Sequence, residues 1–244
     1  MSATASNVHV RNRQYLVIAA ISIPTHHCLM QIALALYPGF TTLDVVGPFQ
    51  VLNDVPGNDV VWVAAEVGPV PDHTRKLPIT ATHRFDDVTR PGVIVVPGGM
   101  TYDVNGPLVP WIKQVHEHTT WTTSVCTGSV FLAAAGLLTG LAATTHWAAT
   151  AMLEEHGATY TEQRVVRQGK IITAAGVSAG IDMALTLLAE MHGDEIAQAV
   201  QLFIEYDPQP PFDAGSPSKA SARVVELVRE LGRQRPKFQV SQPS

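Results

Sequence analysis

The chain has 244 residues, 46% hydrophobic and 15% charged, with a formal net charge of −5 at pH 7. That is enough apolar chain for one globular α/β domain with a sizeable core, and it excludes a disordered protein. The negative charge argues against nucleic acid as a partner. The two cysteines, Cys28 and Cys126, form neither a CxxC pattern nor a disulfide framework, which fits a reducing cytoplasm.

Residues 1–29 read as an N-terminal extension, poorly ordered and outside the domain. Its apolar run, residues 15–23, is too short to cross a bilayer, where roughly 20 apolar residues are needed, so no membrane partner is expected. Arg11 and Arg13 precede that run as in a secretory signal, but Pro24-Thr25-His26-His27-Cys28 is a poor cleavage site. His26, His27 and Cys28 are metal-ligating types in a segment that reads better as a loose tail.

From Met30 the pattern alternates strands and helices. The run 32–37 predicts a buried strand, and Pro38-Gly39 a turn. Thr41 or Thr42 is placed to cap a helix through Asp44, Val45, Val46, Phe49 and Val51, with Pro48 expected to kink it. A second strand is expected over 60–65, then a hairpin-like excursion over 68–82. Val93-Ile94-Val95-Val96 fits an interior parallel strand, buried on both faces and ending in Pro97-Gly98-Gly99. A helix from Pro110 through Val115 precedes a strand over 121–125, and residues 128–138 carry helical spacing. Residues 165–174, with Gln168-Gly169 at their centre, predict a hairpin. Helices are expected over 179–191, 195–205 and 220–231, the last amphipathic and followed by a locally basic tail. Four prolines keep 208–217 irregular. Strands alternating with helices imply a mostly parallel sheet with helices on both faces, and ligands in such sheets bind beyond the carboxyl ends of strands.

The chemistry centres on Thr122-Thr123-Ser124-Val125-Cys126-Thr127-Gly128-Ser129. A β-rich run meets a small-residue helical run with Cys126 at the corner, the layout of a nucleophile elbow; Ser124 stands where the hydrolase pattern has its first glycine. The following helix favours the thiolate through the positive end of its dipole. A small buried cysteine packing a strand end is the competing reading. Three features gather at the carboxyl ends of strands: Asp44 beyond the first, Gly98-Gly99 beyond the third, and Cys126. The Gly98 and Gly99 amides, with that of Thr127, can form an oxyanion-hole-like pair beside the sulfur, although a tight turn uses the same residues. Asp44 is either a dipole-favoured first-turn carboxylate or a proton carrier for Cys126. Nothing local places His146 on the sulfur. His116 and His118, two apart on a helix, do not share a face, and no metal cluster or dinucleotide motif is present.

These residues resemble the ThiJ/PfpI superfamily over about 30–217. The matching segments are Leu43-Asp44-Val45-Val46-Gly47-Pro48-Phe49, Val96-Pro97-Gly98-Gly99, Ser124-Val125-Cys126-Thr127-Gly128-Ser129, Ala143-Thr144-Thr145-His146-Trp147, Ser178-Ala179-Gly180-Ile181-Asp182 and the proline-rich run 205–217. The last, with Thr-His-Trp, is similar to the isocyanide-hydrating branch. Thr127 speaks against the intracellular-protease branch, which carries histidine after the cysteine. Where the hydratases have a glycine run, this chain has Ala174-Ala175-Gly176.

The resemblance implies a flavodoxin-like α/β fold over 30–217, followed by a C-terminal helix and tail over 218–244. It implies Cys126 as nucleophile, Asp44 as its acid/base partner, and backbone contacts near the sulfur from Gly99, Thr127 and Val177. It also implies hydration of a small-molecule isocyanide to an N-substituted formamide without cofactor or metal, in a cytoplasmic homodimer. Rival readings are a glyoxalase-like or amidase-like cysteine enzyme, a thiol redox sensor, and the ligand-sensing half of an AraC-like regulator. The last would need a helix-turn-helix region that the sequence beyond Pro217 is too short to hold.

Overall fold

The structure is a computed structural model that describes residues 30–234. The expected N-terminal extension, Cys28 and the end of the basic tail lie outside the described residues. The elements, in chain order, are β1 (Met30–Ala35), α1 (Thr42–Leu52), β2 (Asn58–Ala64), β3 (Gly68–Pro71), β4 (Pro78–Ala81), β5 (His83–Arg84), β6 (Val93–Val96), α2 (Leu108–His116), β7 (Trp121–Val125) and α3 (Gly128–Ala134). There follow β8 (Ala142–Ala143), α4 (Thr150–Glu155), β9 (Thr159–Tyr160), β10 (Val165–Gln168), β11 (Ile171–Ala174), α5 (Ala179–His192), α6 (Asp194–Phe203) and α7 (Ala222–Gln234).

Seven strands form one sheet in the order β10-β11-β7-β6-β1-β2-β5. All its pairings are parallel except β10–β11, the hairpin expected around Gln168-Gly169. β3 and β4 pair antiparallel as the predicted excursion. The small parallel pair β8–β9 escaped the sequence reading, since two-residue strands carry no period.

Both faces of the sheet are covered. Because side chains alternate along a strand, Ala33, Ala35, Ile94 and Val96 face one way, onto α2 and α3 through Trp111, Ile112, Phe131 and Leu132. Ile32, Leu34, Val93, Val95 and Val125 face the other way, onto α1 and α5 through Val51, Leu52, Met183, Leu187 and Leu188. This sandwich places the carboxyl ends of β1, β6, β7 and β11 side by side.

Two local expectations change, and a third holds. Thr41 is the N-cap of α1, but its hydroxyl makes no capping hydrogen bond. As expected, α1 runs on through Pro48. Its ring packs where α1 meets α5, against Gly180, and tertiary packing outweighs its poor helix propensity. The helix after the elbow ends at Ala134, not near Leu138, because Gly136 takes a left-handed φ of 80°.

Candidate active site

Cys126 follows the last residue of β7 and sits with φ 58°, a region a non-glycine residue rarely occupies. The surroundings dictate it. Its N–H donates to the carbonyls of Ala174 and Ala175, both at 3.0 Å. Its carbonyl accepts the hydroxyls of Ser129 at 3.2 Å and Thr145 at 3.1 Å. The elbow expected from sequence is therefore present, with Ser124 standing in for glycine inside the buried strand.

Asp44 lies in the first turn of α1 and is 0% exposed; Cys126 is 5% exposed. The Gly98 N–H donates to Asp44 Oδ2 at 2.8 Å. Oδ1 has no hydrogen-bond partner of ordinary geometry, and the Cys126 thiol is close enough to this carboxyl to act on its acidity. Burial pushes the Asp44 pKa up to about 7, against the opposing pull of the Gly98 N–H and the thiol. Burial, joined by the Asp44 charge, pushes the Cys126 thiol up to about 12. The Val177 and Thr127 N–H groups and the Thr127 hydroxyl pull the other way.

The pull of the helix dipole toward the thiolate, expected from sequence, is outweighed here. α3 has only seven residues, and desolvation beside a carboxylate outweighs its first turn. At neutral pH the site is a thiol beside a carboxyl poised between its two forms.

The oxyanion expectation is also corrected in part. The Gly98 N–H is taken by Asp44, and the Gly99 N–H donates to Thr127 Oγ1 at 3.0 Å. The amides left at the sulfur belong to Thr127 and Val177. Gly99 lies instead where the Tyr37 hydroxyl and the Gly39 carbonyl leave no room for a side chain. The structure thus brings Cys126, Asp44, Thr127 and Val177 together, with Gly99 supporting Thr127.

His146 packs on Gly176, stacks on Trp147 and accepts the Ala148 N–H at 3.2 Å; it is not among the groups that shift the thiol. His116 bonds Thr122 Oγ1 at 2.8 Å. Sequence reasoning missed Tyr37 and Tyr102. Burial raises both phenol pKa values, and the Asp44 and Cys126 charges raise them further. Tyr37 ends the first predicted strand and could have been noticed there. Tyr102 lies in an irregular segment with no period to place it. Beside Tyr37 lies an apolar cavity of about 360 Å³, walled by Leu36, Phe85, Leu108 and Phe131.

Among the described residues, no three His, Cys, Asp or Glu side chains gather to hold a metal ion, and no helix is long and apolar enough to cross a membrane.

A cysteine elbow on a mostly parallel sheet, facing a buried carboxyl from the first helix, defines a class. The DJ-1/PfpI family profile matches residues 30–190, and the chain belongs to that family. An isonitrile hydratase of Pseudomonas putida is 43% identical over 207 residues, 82% of this chain and 89% of that protein. The crystal structure of a ThiJ/PfpI family protein from Pseudomonas syringae superposes with a TM-score of 0.78 at 38% identity, covering 84% of this chain and 88% of that one. The transcriptional regulator CdhR of Pseudomonas aeruginosa, an HTH-type protein, is 30% identical over 177 residues, 68% of this chain but 52% of the regulator.

Proposed function

We propose that the protein hydrates isocyanides (isonitriles) to N-substituted formamides, with Cys126 as nucleophile and Asp44 as the single acid/base group. The observation that carries this reading is the buried Asp44 carboxyl, held by the Gly98 N–H beside the buried Cys126 thiol, where burial raises both pKa values. The likeness to a protein named isonitrile hydratase over most of both chains supports the choice of substrate.

An isocyanide R–NC is neutral, so it can enter a site that disfavours charge. Its terminal carbon accepts a nucleophile and a proton at the same atom. As the Cys126 sulfur adds to that carbon, the thiol proton passes to the Asp44 carboxylate, and the carboxylic acid then delivers it to the carbon. The S–H bond breaks, C–S and C–H bonds form, and the product is a thioimidate, R–N=CH–S. Water next adds to that carbon while Asp44 takes a water proton and passes it on toward nitrogen. Collapse breaks the C–S bond, returns a proton to sulfur and releases R–NH–CHO. The N–H groups of Val177 and Thr127 favour the thiolate character that develops on sulfur at attack and at departure.

The proposed protein is cytoplasmic and a homodimer. The dimer is supported by large apolar side chains exposed on the C-terminal part of the chain, among them Leu202, Phe203 and Phe212. Purified protein mixed with cyclohexyl isocyanide should yield N-cyclohexylformamide, read by proton NMR. Unchanged isocyanide with a folded protein would end the hydratase reading and favour the redox-sensor or other cysteine-enzyme alternatives.

A further inference from the structure

We propose that Arg164 is a positioning residue for the thiol site, clamping the turn at Gly176, Val177 and Ser178 so that the Val177 N–H points at the Cys126 sulfur. The catalytic consequence rests on the hydratase reading; the clamp itself does not.

The turn needs a clamp. Val177 has φ 41°, and a β-branched residue in the left-handed region persists only where its surroundings over-determine it. The Val177 side chain packs on the core layer that includes Cys126 and Ala179, and the conformation leaves its N–H near enough to the sulfur to pull the thiol pKa down. The turn is gripped from both ends. The Arg164 carbonyl accepts the Ala175 N–H at 2.9 Å, before the strained residue. The Arg164 guanidinium donates to Ser178 Oγ at 3.2 Å, directly after it. The same guanidinium donates through Nε to Asp182 Oδ2 at 2.6 Å, in the first turn of α5. The Tyr206 hydroxyl donates to the Asp182 carboxylate, 3.2 Å from each oxygen, which fixes the carboxylate that fixes the arginine. On the inner side, the Ala174 and Ala175 carbonyls hold the Cys126 N–H, so the clamped turn and the elbow are one unit. Behind it, Gly176 lies so close to His146 that an added Cβ would sit 2.6 Å from the ring. One arginine thus bridges the chain before Val177, the residue after it and the helix that follows.

The ion pair is not buried: the Arg164 and Asp182 side chains are 49% and 31% exposed. A pair so open to solvent adds little to global stability. Its effect should therefore appear in the sulfur's chemistry and not in the melting temperature, which separates positioning from ordinary support.

The test is the pH dependence of Cys126 alkylation by iodoacetamide, followed on the Cys126 peptide by mass spectrometry so that Cys28 does not contribute. Asp44, Tyr37 and Tyr102 face the thiol electrostatically and are retained in every variant, so a change in the profile reports the amide donors. Arg164→Met should lower the alkylation rate at pH 8 about tenfold and raise the apparent pKa by about one unit, the size expected when one hydrogen bond to a charged group is lost. Arg164→Lys should recover part of the rate, since it restores a charge opposite Asp182 without the fork. In the formamide assay kcat should fall with KM little changed. Ser178→Ala, which removes one bond and no charge, should shift the profile the same way by a smaller amount, and serves if Arg164→Met does not fold. A folded Arg164→Met or Ser178→Ala whose profile superposes on the wild type overturns the clamp. Alkylation needs no isocyanide: a shifted profile in a protein that makes no formamide sinks the hydratase reading alone.

Discussion

Asp44 is the residue on which sequence and structure say most together. In the unfolded chain its carboxyl titrates near 3.8, and in the folded protein near 7. A raised carboxyl contributes stability that is fully present below the unfolded value and lost as pH rises through the folded one. Folding at pH 8 therefore carries the burden of an ionised, desolvated carboxylate, of the order of a few kcal/mol. Asp44→Asn should melt higher than wild type at pH 8 and show little difference at pH 4. A carboxylate serving only the helix dipole predicts the opposite sign, a loss of roughly 0.3–1 kcal/mol. The same variant should lose two to four orders of magnitude in turnover, roughly what general acid–base catalysis contributes, and its thiol should alkylate faster at neutral pH, since the Asp44 charge raises the thiol pKa. In wild type, attack needs the pair to hold one proton, not two. Thus kcat/KM should climb through an apparent pKa near 7 and stay level on the alkaline side, a value that belongs to the pair and not to either residue. A profile that falls between pH 6 and 8 would contradict this assignment. The sequence placed Asp44 and Cys126 at the same edge of the sheet, because parallel topology brings strand ends together, and left open whether the two side chains meet. The sign of the Cys126 shift was not legible there. It depends on two burials and a contact between chain segments about eighty residues apart, while the dipole argument sees only the local helix.

At the scale of elements, the site depends on how closely β6, β7 and α3 approach. A Cβ on Gly128 would lie 2.1 Å from the Val96 carbonyl, and one on Gly98 would lie 2.6 Å from the Thr127 amide. Backbone cannot yield as a flexible side chain does. Gly128→Ala should therefore drive α3 off the end of β6 and lower the melting temperature by ten degrees or more, at the severe end of single substitutions. Gly215→Ala, with nothing within 4 Å and no unusual φ, is the control and should melt with wild type. Equal melting of the two alanine variants would mean the elbow is far looser than its geometry. Continuously apolar elements such as β6 and α5 were readable from sequence, the first because burial on both faces of the sheet leaves an unbroken run. The end of α3 before Gly136 was not, since it depends on a left-handed residue that periodicity does not report.

For the whole molecule, the question is what covers the C-terminal surface. The sheet and its two helical layers bury their apolar faces well, yet Leu202 is 79% exposed on α6 and Phe212 is 78% exposed in the proline-rich segment. On α7, Leu227 and Leu231 are exposed one turn apart, and their neighbours Val224 and Val228 are only partly turned toward Trp147 and the 214–217 loop. The amphipathic pattern of α7 was plain in the sequence. That its stripe stays open to solvent was not, since a pattern shows that a face seeks cover without naming what covers it. A second copy of the chain is the cover that accords with the proposed homodimer. Each large apolar side chain removed from water contributes roughly 1.5–3 kcal/mol. Replacing Leu202 and Phe212 with aspartate forfeits both contributions and sets desolvated charges in the contact. Leu202→Asp/Phe212→Asp should therefore elute as a monomer in light-scattering chromatography at concentrations where the wild type is a dimer. Both positions lie outside the buried core, so its far-ultraviolet circular dichroism should stay that of wild type. A double variant that remains dimeric would place the interface elsewhere, and a wild type that is monomeric would refute the dimer itself.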